Sequence, residues 1–423
     1  MIRTLYSILL LVFTPFIILR LYWRSLKAPD YRQRISERFG FYANNKFIQN
    51  GICLHAVSVG ELMAARPLIT HIQKIYPDLP LTITTTTPTA SKQVNIIFGG
   101  SVQHVYLPYD LPGAVKRFLK AFKPRLFVIM ETEIWPNLFY TLNTNHTPLV
   151  MANARLAEKS LRGYQKFKFF FAGVLHNVTC IATQSEMDAT HFKQLDVSPS
   201  QLMVMGNLKY DVSVPQDQVT KAKAVRATFP QKKVWIASST HPQEEDLILN
   251  TAIKIKQQAP NTLCIIAPRH PERFDALAAN AVARNLNIAR HSQGQSVQQD
   301  TDILLADTLG ELFYFYALSD VAVVCGSFAN IGGHNILEPA SLGMPIIVGP
   351  QMFHFKTILA EFLRFDAIVQ IDDSEDLSPV LLGLLNDPLR SEQMGLRAQD
   401  IVLANQGAVL KIFQVLQPFI DLN

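Results

Sequence analysis

The run Gly326-Ser327-Phe328-Ala329-Asn330-Ile331-Gly332-Gly333-His334-Asn335-Ile336-Leu337-Glu338-Pro339 leads from an apolar, strand-like stretch through glycines into a helix start. Gly326, Gly332 and Gly333 permit positive φ and a close backbone approach, and the next helix turn offers unpaired N–H groups at the positive end of a dipole. The segment therefore reads as a cradle for an anion such as phosphate. Asn335 and Glu338 stand three apart, which puts them on one helical face, where a carboxylate accepts two ribose hydroxyls and an amide holds a neighbouring oxygen. A plain glycine turn ahead of a solvated Glu338 fits the same letters.

Other groups able to do chemistry also follow apolar runs. Glu61 comes directly after Ser58-Val59-Gly60 at the start of a helical pattern. A turn fixes a carboxylate there as a general base requires, although an acid in a first helical turn also serves simply to stabilise that turn. Glu131 and Glu133 stand beside Trp135-Pro136, where apolar rings and a second acid raise a carboxyl pKa. Arg269 after Pro268 supplies a forked cation, and Lys209 lies in Gly206-Asn207-Leu208-Lys209-Tyr210-Asp211, where it meets a leaving phosphate or joins a surface ion pair. Gly310-Glu311-Leu312 opens a helix after Ala306-Asp307-Thr308, offering N–H groups to a base or phosphate, or only a cap.

The elements that must position these residues are short strands alternating with helical patterns. Apolar runs at 52–57, 81–85, 102–107, 126–130, 149–151, 178–182 and 202–205 form a first series. A polar stretch at 211–233 interrupts it, and a second series follows at 234–237, 263–267, 303–306, 321–325, 345–348 and 368–371. Such alternation builds parallel sheets buried on both faces, and ligands bind beyond the carboxyl ends of their strands. The expected organisation is a membrane anchor and basic juxtamembrane helix at 1–40, a Rossmann-like domain at 41–210, a linker at 211–233 and a second Rossmann-like domain at 234–423. With 423 residues, two cores are the ordinary outcome.

Charge is informative by its location. Residues 1–40 hold seven basic and two acidic side chains, a net +5 that equals the formal charge of the whole chain. A basic N-terminus on a neutral body suits an anionic membrane surface and argues against a nucleic-acid partner. Residues 4–19 carry no charge and are rich in Leu, Ile, Val and Phe; Pro15 should kink them, and spanning and in-plane insertion both fit their length. Arg20, Arg24, Lys27, Arg34 and Arg38 recur at helical spacing, so one helix face could lie on headgroups with the body in the cytoplasm. Cys53, Cys180, Cys264 and Cys325 lie far apart in apolar runs and read as buried reduced thiols. H-E-x-x-H, a Walker loop and G-x-G-x-x-G are missing, and Asp300-Thr301-Asp302 precedes its strand, so neither a metal nor a dinucleotide or ATP cofactor is expected.

Seven blocks together carry a resemblance. They are His55-Ala56-Val57-Ser58-Val59-Gly60-Glu61, Glu131-Thr132-Glu133-Ile134-Trp135-Pro136-Asn137, Asn153-Ala154-Arg155-Leu156, Gly206-Asn207-Leu208-Lys209-Tyr210-Asp211, Ser239-Thr240-His241, Pro268-Arg269-His270-Pro271 and Gly333-His334-Asn335-Ile336-Leu337-Glu338-Pro339. In this order, over essentially the whole chain, they resemble the blocks of the Kdo transferases (3-deoxy-D-manno-octulosonic acid transferases) of Gram-negative bacteria. The resemblance implies a GT-B glycosyltransferase, with two Rossmann-like domains facing a central cleft behind an N-terminal membrane-anchoring helix. It implies inverting, metal-independent transfer of Kdo from CMP-Kdo to lipid IVA, the tetraacylated precursor of lipid A, at the cytoplasmic side of the inner membrane. It also implies roles: Glu61 as base, Glu131 and Lys209 as transition-state stabilisers, and Pro268, Arg269, Gly310, Glu311, Leu312, Asn335, Ile336, Leu337 and Glu338 as the CMP site. The donor is a substrate, and no cofactor is implied. A different GT-B enzyme acting on a UDP-sugar, as epimerase or transferase, is the alternative, and a membrane-tethered binding protein a third reading.

Overall fold

The computed structural model describes residues 2–42 and 47–421. The chain forms two compact units, one of residues Met1–Asp211 with Gln406–Asn423 and one of residues Val212–Asn405.

The first unit is built on a parallel sheet ordered β3-β2-β1-β4-β5-β6-β7. Its strands are β1 (Ile52–His55), β2 (Leu81–Thr85), β3 (Gln103–Tyr106), β4 (Leu126–Met130), β5 (Leu149–Ala154), β6 (Cys180–Thr183) and β7 (Leu202–Val204). Along β4, Leu126, Val128 and Met130 enter one apolar cluster while Phe127 and Ile129 enter the other. That period of two on a strand buried on both sides is why these runs read as continuously apolar. The chain order reverses between β1 and β4, the switch point where such sheets open a crevice at their carboxyl ends.

The second unit repeats the plan as β10-β11-β9-β8-β12-β13-β14, all parallel, with its switch point between β8 and β12. These strands are β8 (Lys233–Thr240), β9 (Thr262–Pro268), β10 (Ile288–Arg290), β11 (Ile303–Leu305), β12 (Val321–Val324), β13 (Ile346–Val348) and β14 (Val369–Gln370).

Two boundaries differ from the sequence expectation. Residues 406–423 fall in the first unit because the helix Ala408–Asp421 lays Val409, Ile412, Phe413, Leu416 and Ile420, at helical spacing, into that unit's core. Truncating Phe413 to Ala would cost about 3–5 kcal/mol. Asp211 caps the same helix, its carboxylate accepting the N–H groups of Gly407 and Val409. The polar stretch at 211–233 holds the helix Gln216–Arg226, which packs on the helix Leu312–Leu318 within the second unit and buries Ala222 completely.

The N-terminus forms one helix, Ile2–Lys27, continuous through Pro15 and long and apolar enough to cross a membrane. The basic stripe expected to run on from it is broken. Pro29 opens a short 3-10 turn in place of further helix, and Arg34 and Arg38 belong to a separate turn folded onto the unit. Arg34 forks onto both oxygens of Glu37 at 2.7 and 2.8 Å, and Arg38, 4% exposed, lies over the Tyr106 ring at 4.1 Å. Only Arg20 and Arg24 remain of the stripe as exposed cations; the side chain of Lys27 lies outside the described residues.

Candidate active site

In the first unit the groups gather at the switch point. Beyond β1, Ser58 caps the helix Val59–Ile75, accepting the Glu61 N–H at 3.3 Å. The Glu61 carboxylate turns back: Val57 N–H donates to Oε2 at 2.8 Å and the Ser58 hydroxyl donates to Oε1 at 3.1 Å. This variant of a capping box fixes the side chain with no flexible tether. Burial pushes the Glu61 carboxyl up to about 7; the Val57 N–H opposes that, the Glu131 and Glu133 charges reinforce it, and Ser58 opposes it weakly. A base poised near neutrality is the condition for general base catalysis at cellular pH.

Beyond β4, Glu131 adopts φ 56°, and beyond it on the next strand Asn153 adopts the same φ of 56° in a bulge of β5. Left-handed backbone at two non-glycine strand ends is stored strain of the kind held at functional sites. Thr132 ties the two turns, accepting the Arg155 N–H at 3.1 Å and donating to the Arg155 carbonyl. Asn153 Oδ1 accepts the Leu208 N–H at 3.0 Å, so the turn carrying Lys209 is tied to the same strand ends. Burial lowers the Lys209 pKa, the Glu131 charge opposes this and Arg155 adds to it, which places Lys209 within the field of both. Glu133 is raised by burial; a hydrogen bond from Trp135 opposes the rise and the Glu131 charge adds to it. Glu61, Glu131 and Lys209 are thus brought into one electrostatic cluster.

Beneath them lie buried polar atoms without partners among the described residues: His55 Nε2 and Asn153 Nδ2. His55 Nδ1 meets the Thr84 hydroxyl at 2.9 Å and the Thr84 carbonyl at 3.1 Å. Burial pushes His55 down to about 4, and the ring stays neutral, edge-on to Trp135 at 5.9 Å.

In the second unit the glycine segment departs from its expected role. Gly326, Gly332 and Gly333 have φ 71°, 107° and 80°, but the space a side chain would need is filled by His334, by His354 with Phe353, and by Met352 respectively. Two of the loop's N–H groups, those of Gly326 and Phe328, are also occupied. Glu244, 1% exposed, accepts Gly326 N–H at 2.8 Å, Phe328 N–H at 3.0 Å and His241 N–H at 3.1 Å. The anion in this cradle is the protein's own carboxylate, and the glycines serve internal packing. Sequence reading missed Glu244; its one signal is the spacing of three from His241, shared by any capping box.

Asn335 stands just outside the helix Leu337–Ser341 and does not share a helical face with Glu338. Its Oδ1 accepts Leu337 N–H at 3.1 Å, and its Nδ2 donates to Glu338 Oε1 at 3.1 Å, so the pair meets through a cap. Burial raises the Glu338 carboxyl, with Asn335 and the Arg269 charge opposing. Ile336 and Leu337 are fully buried, which leaves only their backbone to a ligand. Pro268 ends β9, and Arg269 projects beyond it, with no hydrogen bond or ion pair of its guanidinium among the described residues. His241 and His334 share one proton between their Nε2 atoms at 2.8 Å; burial lowers both, His334 to about 4. Gly310, at φ 83°, and Glu311 precede the helix that starts at Leu312 as expected, and the Gly310 carbonyl accepts from Gln218 at 3.0 Å.

Among solved structures, the chain matches the UDP-GlcNAc 2-epimerase of Neisseria meningitidis with TM-score 0.56 and 14% identity, covering 87% of this chain and 100% of that one. Two such Rossmann-like units together with one N-terminal apolar helix define the GT-B fold class. The family model described as 3-deoxy-D-manno-octulosonic-acid transferase (kdotransferase) matches residues 33–212. The 3-deoxy-D-manno-octulosonic acid transferase of Haemophilus influenzae is 36% identical over 100% of this chain and 99% of its own length, and that of Bordetella pertussis is 33% identical over 87% of each. The chain belongs to the Kdo transferase family and is a glycosyltransferase.

Proposed function

We propose that the protein transfers Kdo from CMP-Kdo to the lipid A precursor lipid IVA with inversion at the anomeric carbon, working at the cytoplasmic face of the inner membrane. The observation that supports the base assignment is the Glu61 carboxylate at the β1–β4 switch point, held by Val57 and Ser58 and pushed up to about 7.

In this reading a sugar hydroxyl of the acceptor gives its proton to Glu61 as its oxygen forms a bond to the anomeric carbon of Kdo. The bond from that carbon to the phosphate oxygen breaks, and CMP leaves with the electron pair. Glu131 and Lys209 stabilise the developing charges, Lys209 meeting the Kdo carboxylate or the departing phosphate. The Arg269 guanidinium faces the nucleotide phosphate. The Asn335–Glu338 pair takes the ribose, with Pro268, Gly310, Glu311, Leu312, Ile336 and Leu337 completing the CMP site through backbone and surface contacts. The N-terminal helix holds the enzyme at the membrane that contains the acceptor's acyl chains.

Mass spectrometry of lipid IVA incubated with CMP-Kdo tests the reading. Glu61→Gln should lower transfer about 10²–10⁴-fold while leaving CMP affinity unchanged. Transfer within about ten-fold of the unsubstituted protein would remove Glu61 as the base.

A further inference from the structure

The helix Lys168–Leu175 presents Phe169 with 83% of its surface exposed, and Phe167, in the turn before it, is 68% exposed. Two open phenylalanines so close together form an apolar patch that water solvates poorly. Their neighbours turn the other way: Phe171 packs on Tyr164 at 4.5 Å, and Phe170 meets Tyr6 of the N-terminal helix at 5.9 Å. The patch therefore adjoins that helix, which exposes Val12, Phe13, Phe16, Leu19 and Trp23. Cations border it. Arg162 and Lys168 are paired with Glu158 and Asp196, whereas Lys159 and Lys166 make no ion pair or hydrogen bond among the described residues.

The N-terminal helix is fastened to the unit at both ends. Near its start, Ser7 donates to Asn137 Oδ1 at 3.0 Å, Arg3 donates to the same oxygen at 3.1 Å, and the Arg3 guanidinium lies over Tyr140 at 3.6 Å. Near its end, Leu21 and Ser25 are buried, and Arg32 donates to Ser25 Oγ at 2.7 Å and lies over Tyr22 at 4.6 Å. A helix of 26 residues is about 39 Å long. With both ends bound to one folded unit, it could cross a bilayer only by drawing that unit's polar surface into hydrocarbon.

We propose that Phe167 and Phe169 are a second lipid-inserting element which, beside the N-terminal helix, seats the first unit flat on an anionic phospholipid bilayer. The helix then lies in one leaflet, with Lys159 and Lys166 at the headgroups. This rests on the membrane reading of the N-terminal helix given above.

The test uses the full-length protein and vesicles of phosphatidylglycerol and phosphatidylethanolamine. An environment-sensitive fluorophore is attached through Phe169→Cys; the four native thiols are buried, so labelling is selective. Adding vesicles should shift the emission to the blue, and brominated acyl chains should quench it. F167D/F169D should lower vesicle partitioning about ten-fold or more, with an unchanged melting temperature and unchanged transfer to detergent-dispersed acceptor. A label that stays in water while the protein floats with vesicles overturns the proposal and leaves the N-terminal helix as the sole anchor. Failure of the unsubstituted protein to float overturns the membrane reading itself. If F167D/F169D dissociates a dimer and leaves vesicle binding intact, the occupant is a second copy, and the proposal falls.

Discussion

Glu244 holds the Gly326 N–H at 2.8 Å with one carboxylate oxygen, while its other oxygen accepts from Phe328 at 3.0 Å. A buried carboxylate thus binds the loop after β12 to the helix that starts after β8, across the switch point of the second sheet. Glu244→Gln turns one of those acceptors into a donor facing an N–H. The expected cost is about 2–3 kcal/mol, lowering the melting temperature by about 4–12 °C for a unit of this size. CMP should protect this variant less than the unsubstituted protein, because the Asn335–Glu338 pair follows directly from the same loop. Thermal unfolding with and without CMP measures both.

The Ser58–Glu61 pair sets a pH dependence. Glu61 works as a base only when ionised, so transfer should rise with pH along a single titration centred near 7. Ser58→Ala removes a donor that favours the ionised form, and the midpoint should move to higher pH: activity at neutral pH falls and alkaline activity is recovered. The lost cap costs about 1 kcal/mol of stability. Stability follows the opposite course from activity. The folded-state value lies above the ordinary 4.5, so folding favours the protonated acid; that contribution is complete below 4.5 and is lost as pH rises through about 7. A pH–rate profile whose midpoint is unmoved by Ser58→Ala would detach the titration from Glu61.

The nucleotide assignment makes a separable claim. Glu338→Ala should weaken CMP binding about ten-fold, equivalent to about 1.4 kcal/mol, and Asn335→Ala should do the same while also loosening the first turn of the helix at Leu337. Isothermal calorimetry with CMP reads both. Normal affinity in Glu338→Ala would exclude the ribose contact, whatever became of catalysis.

Much of this fold is legible in the letters because a strand buried on both faces must be continuously apolar. Among the described residues, thirteen of the fourteen strands fall on the apolar runs, and only Ile288–Arg290, a short edge strand with polar flanks, carries no such mark. Positions near the site are legible for a related reason: polar residues directly after buried strands have few places to go but the carboxyl edge. Partners are not legible. Nothing in the spacing of Glu244 distinguishes a helix-capping acid from one that fills a glycine loop, and the same glycines would suit an external phosphate. The C-terminal helix is similar: its apolar stripe is plain from Val409 to Ile420, but a stripe does not say which core it covers.

Asn153 shows how backbone and side chain can be separated at one such position. Its φ of 56° is one that asparagine tolerates better than most residues other than glycine, and its Oδ1 is committed to the Leu208 N–H at 3.0 Å, next to Lys209. Asn153→Ala loses both the tolerated conformation and the bond, and should cost about 1 kcal/mol for strain beyond about 1–3 kcal/mol for the stranded N–H. Asn153→Gly relieves the strain and still leaves Leu208 unpaired. Denaturant titration should therefore rank the Gly variant above the Ala variant by about 1 kcal/mol. Transfer should stay low in both, about ten-fold or more below the unsubstituted protein, because each frees the turn that carries Lys209. Recovery of transfer in Asn153→Gly along with its stability would show that the bulge alone matters and that the amide does not position Lys209.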